Sequence, residues 1–230
     1  ENTLSVTVSE SLLPVLPEVL ARIKNLFDLY CEPKAVYETL QVMNTLQPGL
    51  CVLGTRLPGC FNVFEMSVRA VLGQQITVKA ASTLAARLVA VYGTQVQTGI
   101  EGLTHSFPAP AAILALGENI SEHLGKLGII SARANTIYQL ARVLADEKND
   151  FGFCGNPEEE MQKLQAIRGI GSWTAQYIAM RAMGWPDAFL PTDAGIKKAL
   201  PDHTPKELQV LSEAWRPWRS YATVNLWNTL

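Results

Sequence analysis

The chain has 230 residues, 48% of them hydrophobic, which is enough apolar material for one large or two modest compact domains and argues against disorder. No apolar run is long enough to span a bilayer, and residues 1–18 lack the basic start and apolar stretch of a signal peptide, so a soluble intracellular protein is expected. A net charge of −2 argues, taken alone, against a nucleic-acid partner, because phosphate affinity usually appears as a basic domain.

In chain order, LSVTVS alternates apolar and polar residues and predicts a short strand, after which residues 12–29 show helical spacing with Pro14 and Pro17 near their start. A lone strand cannot satisfy its backbone edges, and the rest of the chain offers no convincing partner for it. Residues 46–59 read as linker-like. From Phe61 onward, apolar residues three and four apart predict helices over 63–72, 77–92, 109–115, 132–145, 158–167, 172–183, 193–200 and 205–215. Pro58-Gly59, Gly73, Gly93, Pro108, Gly128, Gly155, Gly169 and Pro191 punctuate them, and no internal repeat is present. The fold class expected is mainly α.

Cys31, Cys51, Cys60 and Cys154 form no C-x-x-C pair and no histidine stands at ligand spacing, so buried free thiols are expected rather than a zinc or iron–sulfur site. His105, His123 and His203 lie far apart without an evident partner. Charge is unevenly distributed. Residues 66–100 carry Arg69, Lys79 and Arg87 with no acid, residues 123–142 carry Lys126, Arg133 and Arg142 with none, and residues 161–185 repeat the pattern with Lys163, Arg168 and Arg181. Three such windows can converge on one face. Acids gather at 146–150 and 158–160, which read as solvated loops or helix starts.

The informative segment is LQAIRGIGSWTAQYIAMRA, residues 164–182, where one helix ends at Ile167, Gly169 and Gly171 flank a single apolar residue, and a second helix begins at once. Glycines permit positive φ and clear the approach, so amides around Gly169, Ile170, Gly171, Ser172 and on toward Thr174 can meet a phosphate at the helix start. Such a grip needs few lysines. An isolated G-x-G would be read as a tight interhelical turn.

Context changes that reading. The string RGIGSWTAQYIAM resembles the helix-hairpin-helix motif of DNA glycosylases, and the resemblance extends through FLPTDAGIKKAL after it, LPGCFNVFEMSVRAVLGQQITVKAASTLAARL before it and WRPWRSYATVNLW beyond. These matches cover nearly the whole chain in family order and are most similar to the 3-methyladenine DNA glycosylase II subfamily. The resemblance implies two helical subdomains with a cleft between them over 51–230. It also implies a partial amino-terminal α+β segment over 1–50, holding only the last strand and helix of the domain with which relatives begin.

It further implies a role for each matching position. Asp193 matches the essential carboxylate at the start of the helix after the hairpin; on its own it would be read as an N-cap, and both roles can coexist. A helix N-terminus favours the ionised form, the state that stabilises positive charge developing on the sugar. Trp173, Tyr177 and Trp227 match the base pocket, where aromatic faces suit a cationic purine. No second carboxylate matches a general acid, and an N3- or N7-alkylated purine already leaves as a neutral base. Relatives that also nick the backbone carry a lysine where Trp173 stands, so monofunctional action is implied.

Gln75, in the loop Gly73-Gln74-Gln75-Ile76, matches the residue that fills the gap left by a flipped base, although similar proteins carry an apolar wedge there. Ala194 and Gly195 replace bulkier residues, implying a roomier pocket. The resemblance also implies a monovalent cation, Na+ or K+, bridging the carbonyls of Gln165, Ile167 and Ile170 to a phosphate, with no cofactor required for catalysis. The partner expected is double-stranded DNA containing alkylated bases, bound by a monomer without membrane association, in bacterial cytoplasm or a eukaryotic nucleus. Two other readings stay open: a noncatalytic helix-hairpin-helix DNA-binding module, and a glycosylase for oxidised or mismatched bases.

Overall fold

The computed structural model describes residues 3–145 and 156–230; Cys154, Gly155 and the acids at 146–150 lie outside the described residues. Among the described residues the chain forms twelve short α-helices joined by turns and 3-10 segments. A 3-10 segment at Glu10–Val15, which contains Pro14, leads into α1 (Leu16–Leu26), and α2 (Pro33–Leu40) opens on a proline whose missing amide would have had no helical acceptor. Next come α3 (Val63–Leu72) and α4 (Val78–Tyr92), started by Asn62 and Thr77, whose side chains accept the amides of Glu65 and Ala80. Caps of this kind contribute about 1 kcal/mol each. The chain continues through α5 (Pro110–Leu114), α6 (Ile120–Gly125), α7 (Ser131–Leu144), α8 (Pro157–Gln165) and α9 (Ser172–Ala182). It ends with α10 (Ala194–Ala199), α11 (Pro205–Leu211) and α12 (Arg219–Trp227).

These helices bury two cores. One gathers Val68 and Leu72 of α3, Leu88 of α4, Ile137 and Leu140 of α7, Leu164 of α8 and Ile178 of α9. The other gathers Val36 and Leu40 of α2, Met43, Leu57, Ile196 of α10, Leu208 of α11, Leu226 of α12 and, from the 3-10 segment between these last two helices, Trp215. Each such side chain contributes roughly 1.5–3 kcal/mol by leaving water. Helix α9 serves both halves, because Ile178 and Ala182 join the first core, Met180 joins the second, and Tyr177 and Trp185 pack against each. The body is therefore bipartite, as expected.

Two expectations are corrected. LSVTVS forms no strand: residues 3–9 run without regular structure and pair with no strand among the described residues. The only strands among the described residues are β1 (Thr94–Gln95) and β2 (His105–Ser106), an antiparallel pair with Thr94 opposite Ser106. On the amino-terminal side of residue 50, Val36, Leu40 and Met43 are buried in the second core.

Candidate active site

Helix α8 stops short of Gly169, where φ is +96°. A Cβ at that position would lie 2.0 Å from Thr136 Oγ1 on α7, so glycine is required by both the backbone angle and the packing. The Thr136 hydroxyl donates to the Arg168 carbonyl (3.0 Å) and seats α7 beneath the turn. Ile170 differs from expectation: it is buried in the first core between exposed Gly169 and Gly171, and its amide donates to the Ile167 carbonyl (3.0 Å) instead of being left for a phosphate. Gly171 is the N-cap of α9 and offers no capping side chain, so the amides of the first turn, beside exposed Ser172, are left for an outside partner. Thr174 differs from expectation: it is buried, and its hydroxyl accepts from Gln74 Nε2 (2.9 Å) instead of facing nucleic acid.

Asp193 is the N-cap of α10 and is 9% exposed. Its Oδ1 accepts the amides of Gly195 (2.8 Å) and Ile196 (3.2 Å) together with the Trp227 indole Nε1–H (2.9 Å). Its Oδ2 accepts the Trp173 indole Nε1–H at 3.0 Å. All four partners are donors, the complement an ionised carboxylate requires. Trp173 and Tyr177, four residues apart on α9, stack with centroids 5.2 Å apart and planes 13° from parallel, and Trp227 lies 6.3 Å from Tyr177 at 47°. Arg181 fixes the tyrosine, donating to its hydroxyl (3.3 Å) and to the Pro58 carbonyl (2.6 Å).

These groups line a cleft of about 1410 Å³ to which both halves contribute: Gln74, Gln75 and Thr77 from the turn between α3 and α4, the hairpin glycines, residues 192–195 and Trp227. The pocket is not enlarged by Gly195. A Cβ there would lie 2.7 Å from Trp227 Cδ1, 2.9 Å from its Nε1 and 3.0 Å from Asp193 Oδ1, so the space is taken by the indole that bonds the carboxylate. Gln75 is exposed at the cleft with φ of +55°.

Most cations of the acid-free windows are engaged within the protein. Arg69 pairs with Glu65, Lys126 with Glu122 and Lys163 with Glu160, while Arg87 donates to the Leu127 carbonyl and Arg133 to that of Gln74. Lys79 and Arg168 are exposed and make no ion pair among the described residues. Burial pushes the Cys60 thiol up to about 11 and raises those of Cys31 and Cys51, which marks them as inert. No cluster of His, Cys, Asp or Glu able to hold a metal occurs among the described residues. No helix there is long and apolar enough to cross a membrane.

A hairpin of exposed amides beside a carboxylate set in an aromatic cleft is the constitution of a helix-hairpin-helix DNA glycosylase. The family model described as HhH-GPD superfamily base excision DNA repair protein matches residues 68–219, and a model for the AlkA N-terminal domain matches residues 1–62. The chain belongs to the HhH-GPD superfamily of base excision DNA repair proteins. It is 38% identical over 228 residues to DNA-3-methyladenine glycosylase 2 of Escherichia coli (strain K12), covering 99% of this chain and 77% of that protein. It is 40% identical over 216 residues to a probable bifunctional transcriptional activator/DNA repair enzyme AlkA of Mycobacterium tuberculosis, covering 91% of this chain and 42% of that one. Among solved structures, the 3-methyladenine DNA-glycosylase from Archaeoglobus fulgidus superposes with a TM-score of 0.77 at 22% identity, covering 96% of this chain and 76% of that chain, a likeness of fold.

Proposed function

We propose that the chain hydrolyses the N-glycosidic bond of alkylated purines in double-stranded DNA, turning the damaged nucleotide into the cleft and leaving an abasic site. The observation that carries this reading is Asp193, held by four N–H donors on the wall of a cleft whose other aromatic walls are Trp173, Tyr177 and Trp227. As the bond from C1′ to the base lengthens, its electron pair leaves with the base and positive charge gathers on the sugar beside the carboxylate. Water then adds to C1′, and its proton passes to solvent. A 3-methyladenine-type base carries its own positive charge and departs neutral without a general acid. Recognition falls to the aromatic walls, where a good cation–π contact contributes roughly 0.5–2 kcal/mol.

Monofunctional action is supported by the cleft lining, which among the described residues includes arginines but no lysine to form a Schiff base. The hairpin amides hold a phosphate, and Gln75 fills the gap left by the flipped base. The carbonyls of Gln165, Ile167 and Ile170 would hold Na+ or K+ against that phosphate; they are hard oxygen donors, and Ile167, which already accepts one amide, keeps a second lone pair. The protein acts on its DNA as a monomer.

The test is to incubate methylated DNA with the protein and resolve the freed bases by chromatography, with borohydride added in a parallel reaction. Release of 3-methyladenine with an unnicked backbone and no trapped covalent adduct is expected. Release of 8-oxoguanine or uracil in preference, or a borohydride-trapped adduct, would contradict the reading.

A further inference from the structure

The turn between α3 and α4 carries two adjacent glutamines with different surroundings. Gln75 is exposed at the cleft, whereas Gln74 is half-buried and its Nε2 donates to the Gly169 carbonyl (3.0 Å) and to Thr174 Oγ1 (2.9 Å). An amide nitrogen carries two protons, so both bonds form together. The backbone carbonyl of Gln74 accepts from the Arg133 guanidinium on α7, the helix whose Thr136 seats Gly169. Turn, hairpin and α7 thus close a ring of polar contacts. Within that ring Gln75 holds a left-handed φ of +55°, which a residue other than glycine keeps only when its surroundings fix it.

We propose that Gln74 is a positioning residue that ties the Gln75 turn to the phosphate-binding hairpin, so that gripping the backbone and filling the gap are done by one preorganised unit. This rests on the gap-filling role proposed for Gln75. A turn already fixed in the free protein need not be ordered when DNA binds, and an untied turn must be. The Thr174 side chain, turned to Gln74, belongs to the same unit. Its hydroxyl is the acceptor without which the tie is halved.

Two readouts on the intact protein test the tie and its consequence separately. In hydrogen exchange without DNA, Gln74→Ala is expected to speed exchange of residues 73–77 roughly tenfold while the middle of α3 is unchanged. In binding, the preference for a duplex with a tetrahydrofuran abasic analogue over an undamaged duplex is expected to fall about tenfold in Gln74→Ala and about threefold in the near-isosteric Thr174→Val. The double variant should fall no further than Gln74→Ala, because both remove one interaction. Gln74→Glu, which keeps the shape without the donors, replaces Gln74→Ala should the latter fail to fold.

Unchanged exchange, or additive losses in the double variant, would overturn the proposal. So would a retained preference in Gln74→Ala beside its loss in Gln75→Ala. A retained preference in Gln75→Ala overturns the gap-filling reading instead, and the exchange rates then decide the tie alone.

Discussion

Asp193 takes two of its four hydrogen bonds from indole rings that the sequence assigns to stacking. Trp173 and Trp227 therefore aim the carboxylate as well as wall the pocket. Trp227→Phe keeps an aromatic ring and removes the donor, and single-turnover base release is expected to fall roughly tenfold with binding to an abasic-analogue duplex within about threefold. Unchanged release would reduce Trp227 to a wall. Gly195→Ala places a Cβ against the same indole, so the ring must move away from Asp193; about 1–3 kcal/mol of stability should be lost in urea denaturation, with release slowed further. Asp193, Trp173, Tyr177 and Trp227 were legible in the sequence because each stands at its place in a run of ordered motifs. The indole bonds and the Gln74 tie were not, since contacts across 20, 34 or 95 residues leave no periodic signature.

At the scale of an element, the grip proposed for the hairpin would require little charge. Gly169 and Gly171 expose amides while Ile170 anchors the turn in the core, and most nearby arginines and lysines are engaged elsewhere in the protein. Gly169→Ala meets both a positive φ and Thr136, so about 2–4 kcal/mol of stability and most DNA affinity should be lost, as read by thermal melting and by titration of duplex DNA. Retained affinity would move the grip to another surface. Elements with one buried face were readable, and 63–72 was read at its observed bounds. Helix α12 was not, because eight of its nine residues, Arg219 through Leu226, are buried and no face repeats. LSVTVS failed for the opposite reason: alternation predicts a strand only where an edge is present to receive it.

Across the whole molecule, two cores meet on α9, and α12 returns to carry Trp227 to the cleft that runs between them. The first residue of that last helix, Arg219, is buried and donates to Asp187 Oδ1 (2.7 Å) and to the Asp187 carbonyl (2.8 Å), linking α12 to the segment that leads into Asp193. Asp187→Ala would leave the guanidinium buried with Glu213 as its remaining carboxylate, 3.3 Å away and half-exposed. About 3–5 kcal/mol of stability should be lost in denaturant unfolding. A loss below about 1 kcal/mol would mean that packing alone holds α12 in place. The proposed chemistry stands on the charge at Asp193, and single-turnover release of 3-methyladenine from methylated duplex by Asp193→Asn tests it most directly. Release is expected to slow by at least on the order of 10²–10³-fold while affinity for an abasic-analogue duplex stays within about threefold. Release at the unaltered rate would contradict it.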